Sequence, residues 1–269
     1  MRFVAKQPRE GINVSDTHPL MEAGTLVVGL TAIAIAIVLV LIFLIELSLY
    51  FVSAEKEAAI FASWIPEDLI VVSTDDERQQ ETQSLVDRLV VHWPDTPYKF
   101  RVEIDGSEQA NAMALPGGLI VVTQGLLDQV ESENELAFVL GHELGHFRNR
   151  DHLRALGRGI VVSLFFVAIT GNDVAGIGIK AADLTLRGFS RVQESEADQF
   201  GLAIVNAEYG HVDEAWRLFE RWEIEDSSHL DFVTYLSTHP DTGDRIMDME
   251  RFAAAEKWRV EGEVTPLQW

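Results

Sequence analysis

Cysteine is absent from the 269 residues. Its absence excludes disulfide staples and any metal site built on thiolates, so a bound metal has to be held by histidine and carboxylate. Basic side chains are scarce as well, with 21 Lys and Arg against 43 Asp and Glu and a formal net charge of −22. Nucleic-acid binding needs clustered cations to meet phosphate, and the sequence offers none. There is no internal repeat and no low-complexity segment. What remains is 47% hydrophobic, enough to bury the core of one ordinary globular domain.

Uninterrupted apolar runs are rare, and one of them stands apart. Gly24 to Ile45 (GTLVVGLTAIAIAIVLVLIFLI) carries no charge over 22 residues. As a helix it is about 33 Å long, against a hydrocarbon core of about 30 Å, and it is apolar on every face. It reads as a transmembrane helix within residues 23–52, following an N-terminal tail at 1–22. A cleaved signal peptide fits poorly, because the run is too long and starts too far from Met1. Arg2, Lys6 and Arg9 precede the run and Lys56 follows it. That asymmetry predicts a cytoplasmic N-terminus, with the bulk of the chain on the far, extracytoplasmic side of the membrane. A second run, GIVVSLFFVAITG (159–171), is too short to span a bilayer alone and reads as a buried or membrane-facing helix, with a re-entrant segment as the alternative.

The globular part is expected to begin near Pro66 and to run to residue 256, with a polar tail at 257–269. TDDERQQETQSLVDRLVVHW (74–93) has an amphipathic helical pattern, and YKFRVEI (98–104) alternates like a strand. NAMALPGGLIVVTQGLL (111–127) places Pro116-Gly117-Gly118 between two apolar runs, which predicts a hairpin. Ser132 and Glu135 resemble a capping box opening the next helix.

That helix contains HELGH. His142 and His146 stand at i and i+4, so both imidazoles leave one helical face and can reach a single zinc ion at about 2.0–2.1 Å. Glu143 is turned away by one residue. It can meet a water polarised by the metal and take its proton as that water attacks a carbonyl. By chance alone HExxH arises on structural helices, but here it lies among Leu136, Phe138, Val139, Leu140, Leu144 and Phe147, where unpaired polar groups would be costly. A third ligand is needed, and SRVQESEADQFG (190–201) offers Glu194, with Asp198 one turn on to hold an imidazole tautomer. Alone, that acidic stretch reads as a solvated helix face. Ala197 and Gly201 are small enough to let its helix approach another closely.

The combination of NAMALPGGLIVVTQGLL, ENELAFVLGHELGHF, ESEAD and STHPDTGDRI, in that order, resembles the gluzincin metallopeptidases that include HtpX, the CAAX prenyl proteases and BepA. The resemblance runs from about Val71 to Arg251. It implies an α+β, zincin-like metallopeptidase domain, with helices packed on a small antiparallel sheet, tethered by the one N-terminal transmembrane helix. It implies one Zn2+ per chain held by His142, His146 and Glu194, with Glu143 as catalytic base and Asp198 closing the ExxxD motif; Glu196 does not fit the ligand spacing. It further implies that Asn111 and Ala112 open an edge strand on which an extended substrate docks. His239 falls in a loop that approaches the zinc, where it can stabilise the oxyanion or fill the open coordination position, with Arg245 nearby to pair with an acid. His18, His92, His152, His211 and His229 are expected at the surface. Protein or peptide substrates and membrane lipid are the expected partners, and the oligomeric state is not readable. The rival readings are a non-catalytic module that captures unfolded chains on its edge strand and a zinc hydrolase acting on something other than peptides.

Overall fold

The computed structural model describes residues 18–61, 76–170, 189–226 and 242–269, together with Tyr235 and His239. In chain order the elements are α1 (Pro19–Phe51), α2 (Ala54–Phe61), α3 (Asp76–Val90), β1 (Arg101–Asp105), β2 (Ala112–Leu115), β3 (Leu119–Thr123) and α4 (Gln124–Leu127). They continue with α5 (Glu133–Asn149), α6 (Asp151–Thr170), α7 (Arg191–Tyr209), α8 (Arg217–Asp226) and α9 (Thr242–Glu256). The expected start of the domain at Pro66 lies outside the described residues, as does His229.

Pro19 sits at the first helical position of α1 and the His18 side chain accepts from the Leu20 N–H, so this helix has a defined start. None of its 33 residues is buried, and it is the one helix among the described residues long and apolar enough to cross a membrane. The helix breaks at Val52, which is extended, and α2 follows from Ala54. The second apolar run belongs to α6, which lies against the end of α1. A Cβ on Gly157 would stand 2.6 Å from Ile45 Cγ2, and Arg154 Nε is 2.9 Å from Glu46 Oε2. Ile160 and Leu164 on the same helix remain exposed.

Among the described residues three strands form a mixed sheet in the order β1-β3-β2. Gly117 and Gly118, at φ 90° and 89°, turn β2 back antiparallel along β3, with Ala112 opposite Val122 and Leu115 opposite Leu119. β1 then joins the other side of β3 in parallel, Arg101 opposite Leu119, where the sequence reading had the sheet antiparallel throughout. All five residues of β3 (LIVVT) are buried, the signature of a central strand covered on both faces, whereas β1 alternates. The outer edge of β1 is closed by α3. Gln83 Oε1 accepts from the Val102 N–H at 2.8 Å and Gln79 Oε1 from the Ile104 N–H at 3.1 Å. In β2, Ala112 and Ala114 are buried and Met113 and Leu115 half-buried.

Ser132 caps α5 by accepting from the Glu135 N–H, but the Glu135 carboxylate turns to the Glu131 N–H and to Arg221 instead of completing a reciprocal box. The helix ends at Arg150, which adopts the left-handed conformation at φ 59°. Against α5 packs α7, opened by a complete capping box of Ser190 and Gln193. The contact is as close as the small residues promised. A Cβ on Gly141 would meet Gly201 Cα at 3.0 Å, and one on Gly145 would meet Ala197 Cα at 2.7 Å. No side chain larger than these fits at the crossing, and this brings the HELGH and ESEAD segments face to face.

Two surface expectations fail. His152 is buried with Nε2 2.7 Å from Glu57 Oε1, and His211 is buried beside Asp213 and Glu263. Both lie where the backbone turns them inward after a helix, which i,i+4 spacing does not report. His18 and His92 are exposed as expected. The 257–269 segment runs as a strap over the start of α5, with Thr265 bonded to the Glu133 N–H and to Asn134 Oδ1.

Candidate metal centre

The close crossing of α5 and α7 gathers four buried side chains: His142, His146, Glu194 and His239, each with one ligand atom within 4.8 Å of the others. His142 Nε2 and His146 Nε2 stand 3.0 Å apart, and Glu194 oxygens lie 3.6 and 3.7 Å from them. Donors around a tetrahedral zinc at about 2.0–2.1 Å are separated by about 3.3–3.4 Å, so the spacing fits one ion. The tautomers fit too. Asp198 Oδ1 is 2.9 Å from His142 Nδ1, and Asp151 Oδ2 is 3.1 Å from His146 Nδ1. Each carboxylate holds a proton on Nδ1 and leaves an Nε2 lone pair pointing inward. Two such lone pairs facing each other need a proton or a metal cation between them.

Burial pushes His142 down to about 3, so its ring stays neutral and able to ligate. Asp198 remains ionised despite burial because Arg245 takes it in a fork, Nε to Oδ2 at 2.8 Å and Nη2 to Oδ1 at 2.6 Å. Arg245 also reaches Glu194 Oε2 at 2.8 Å, so one buried guanidinium compensates two carboxylates of the site. It stands on α9, in the first turns after the loop where the sequence put it.

Glu143 lies beside the ligands without joining them. Burial raises its carboxyl to about 7, and its Oε1 is buried with no hydrogen-bond partner among the described residues. His239 Nε2 is 3.7 Å from that oxygen, while His239 Nδ1 is 3.1 Å from both His142 Nε2 and Glu194 Oε1. Tyr235 stacks on the His239 ring at 4.3 Å, and Phe189 stacks on His146 at 4.0 Å. Glu196 faces away, exposed, and bonds Asn149 Nδ2 at 3.2 Å.

The β2 edge runs beside this group. Asn111 exchanges its backbone with Thr123: its C=O accepts the Thr123 N–H at 2.9 Å and its N–H reaches Thr123 Oγ1 at 2.8 Å. By the parity of an antiparallel ladder, the backbone groups of Ala112 and Ala114 then point away from β3, to the outer edge. The Ala114 backbone lies near enough to the Glu143 carboxylate to favour its charged form against the larger effect of burial, so edge and base adjoin. Asn111 itself has only its side chain to offer, and its Oδ1 is buried without a hydrogen-bond partner among the described residues.

Asp151 and Gln193 escaped the sequence reading. Gln193 Nε2 donates to Asp151 Oδ1 at 2.5 Å, completing the support of His146. The signal was a carboxylate just past the end of the HExxH helix, where a left-handed residue can fold it back.

Residues 73–253 match the family model described as Peptidase family M48. The chain is 29% identical over 175 residues to mitochondrial metalloendopeptidase OMA1 of Schizosaccharomyces pombe, covering 62% of this chain and 48% of that protein. It is 27% identical over 214 residues to metalloendopeptidase OMA1 of Danio rerio, covering 73% and 43%. Similarity to the putative beta-barrel assembly-enhancing protease of Vibrio cholerae is 28% over 190 residues, covering 66% and 39%. The chain therefore spans less than half the length of these curated relatives.

Proposed function

The chain belongs to peptidase family M48, and from that membership we propose that it is a membrane-anchored, zinc-dependent endopeptidase. The observation that carries this reading is the convergence of His142 Nε2, His146 Nε2 and the Glu194 carboxylate on one point, with the unpartnered Oε1 of Glu143 beside it. A binding module would have no use for a buried, unsatisfied carboxylate there.

In this reading His142, His146 and Glu194 hold one zinc ion, and Asp198 and Asp151 orient the two rings. When bound, zinc supplies Lewis-acid polarisation of the scissile carbonyl and lowers the pKa of the attacking water. An extended substrate adds to the β2 edge and pairs with the backbone of Ala112 and Ala114, which brings its carbonyl towards Glu143. Glu143 takes the proton of the attacking water at Oε1 and returns it to the leaving nitrogen. Its carboxyl, raised to about 7 by burial, is matched to both transfers. The position of His239 against His142 and Glu194 supports a resting role in the open coordination position. Displaced by substrate, its ring N–H becomes a donor for the developing oxyanion.

The anchor sets the substrate class. A site tethered by α1 meets membrane-associated or misfolded proteins first, in keeping with the name of the Vibrio cholerae relative. Detergent-solubilised full-length protein should cleave unfolded casein, lose that activity with a chelator and regain it with added zinc; cleavage unaffected by chelation would remove zinc from the mechanism. The flanking charges orient the domain to the extracytoplasmic side. A reporter enzyme active only outside the cytoplasm, fused after Trp269, should therefore be active in cells. A fusion silent there, matched by an active cytoplasmic reporter, would reverse the orientation.

A further inference from the structure

One buried ionic cluster has no part in the chemistry above, yet it touches both the anchor and the metal centre. Glu57 of α2 is 1% exposed, and its carboxylate accepts from Tyr98 Oη at 2.8 Å and Arg150 Nε at 2.8 Å, with His152 Nε2 at 2.7 Å. A carboxylate so deeply buried is tolerated only when its lone pairs are filled this completely. The Arg150 Nη1 donates in turn to the carbonyls of Leu49, at 2.8 Å, and Val52, at 2.6 Å. Leu49 lies in the last turn of α1, whose carbonyls have no helical partner, and Val52 is the C-cap.

Arg150 is also the C-cap of α5 at φ 59°, a conformation where glycine is the usual choice and a larger residue is strained. The guanidinium bonds offset that strain, and the left-handed turn places the next residue, Asp151, under His146. A second route runs in parallel. Arg154 bonds Glu46 of α1 through Nε at 2.9 Å and Asp151 Oδ1 through Nη1 at 3.3 Å. Two arginines thus connect the membrane helix to the one carboxylate that orients His146.

We propose that Glu57 and Arg150 are positioning residues of the metal centre, through which the end of the anchor helix fixes Asp151 and hence the His146 ring. The inference rests on the metallopeptidase reading and adds to it that the anchor is part of the site's support. Freed of Glu57 or of the α1 carbonyls, the Arg150 turn loosens, Asp151 loses its alignment, and zinc is held less tightly.

The test compares full-length variants in detergent, reading zinc affinity by chelator competition and unfolding by thermal melts. Outer-sphere partners of metal ligands are typically worth about 10–100-fold in affinity. Asp151→Asn, which touches His146 directly, sets the upper reference. Glu57→Gln and Arg150→Gln should each weaken zinc by about tenfold, the low end of that range. Arg88→Gln is the control. It breaks the Arg88–Glu133 pair at the opposite end of α5, so it should lower the melting temperature and leave zinc affinity unchanged. If Glu57→Gln and Arg150→Gln behave like Arg88→Gln, losing stability and keeping zinc, the positioning role is overturned. A wild type that binds no zinc overturns the metallopeptidase reading as well, so the two failures are told apart.

Discussion

Glu143→Gln is expected to leave zinc bound and the fold intact while slowing peptide hydrolysis by at least about a hundredfold. The side chain contributes no ligand: the convergent group is His142, His146, Glu194 and His239, and Glu143 stands beside it. Glutamine is nearly isosteric, but it cannot accept a proton at neutral pH. Loss of general-base action is worth about 10²–10⁴-fold. Burying a neutral amide in place of a carboxyl raised to about 7 relieves desolvation, so the variant should melt no lower than wild type. Zinc content, a melt and casein cleavage on one preparation check all three. Equal cleavage by wild type and Glu143→Gln, with zinc in both, would sink the peptidase assignment in favour of a module that only captures unfolded chains.

Removing a ligand should have the larger effect on the metal. Glu194→Ala takes away the one carboxylate among the proposed zinc donors and should weaken retention by more than the roughly 10–100-fold lost with an outer-sphere partner. It also leaves Arg245 buried with only the Asp198 half of its charge compensation, so a drop in stability accompanies the loss of zinc. Two residues along, Glu196→Ala should do neither, because that side chain points to solvent and bonds only Asn149 among the described residues. Zinc per chain after extended dialysis decides it. A chain that keeps its zinc without Glu194 and loses it without Glu196 would show the wrong face of α7 had been assigned.

The parts of the site that could be read from the sequence are those set by one helix or by a close helix pair. The i,i+4 histidines need nothing but a helix, and Gly141, Gly145, Ala197 and Gly201 announce by their size that two helices touch. What escaped depends on turns and distant partners. Asp151 reaches His146 only because Arg150 adopts a left-handed conformation without being glycine, and no local pattern marks such a residue. His152 looked like a surface histidine because its partner, Glu57, is 95 residues away. The parallel placement of β1 was hidden for a related reason. Alternation identifies a strand but not its neighbour, and only the unbroken apolar character of β3 hinted that it would be central.

The two edges of the sheet differ in a way that reaches beyond the site. Gln79 and Gln83 seal β1, which leaves β2 as the berth for a foreign chain in the proposed reading, through main-chain atoms alone. Such a berth is blind to residue identity, since every peptide carries the same amides. It discriminates by conformational freedom. A folded protein whose strands are already paired has no free segment to lend until it opens locally. Where that opening is fast relative to cleavage, the rate of destruction follows the population of the opened state. Each 1.4 kcal/mol that a client loses in local stability then raises its turnover about tenfold. If substrate docks on β2 as proposed, no recognition sequence is needed, because the client's own marginal stability sets its lifetime.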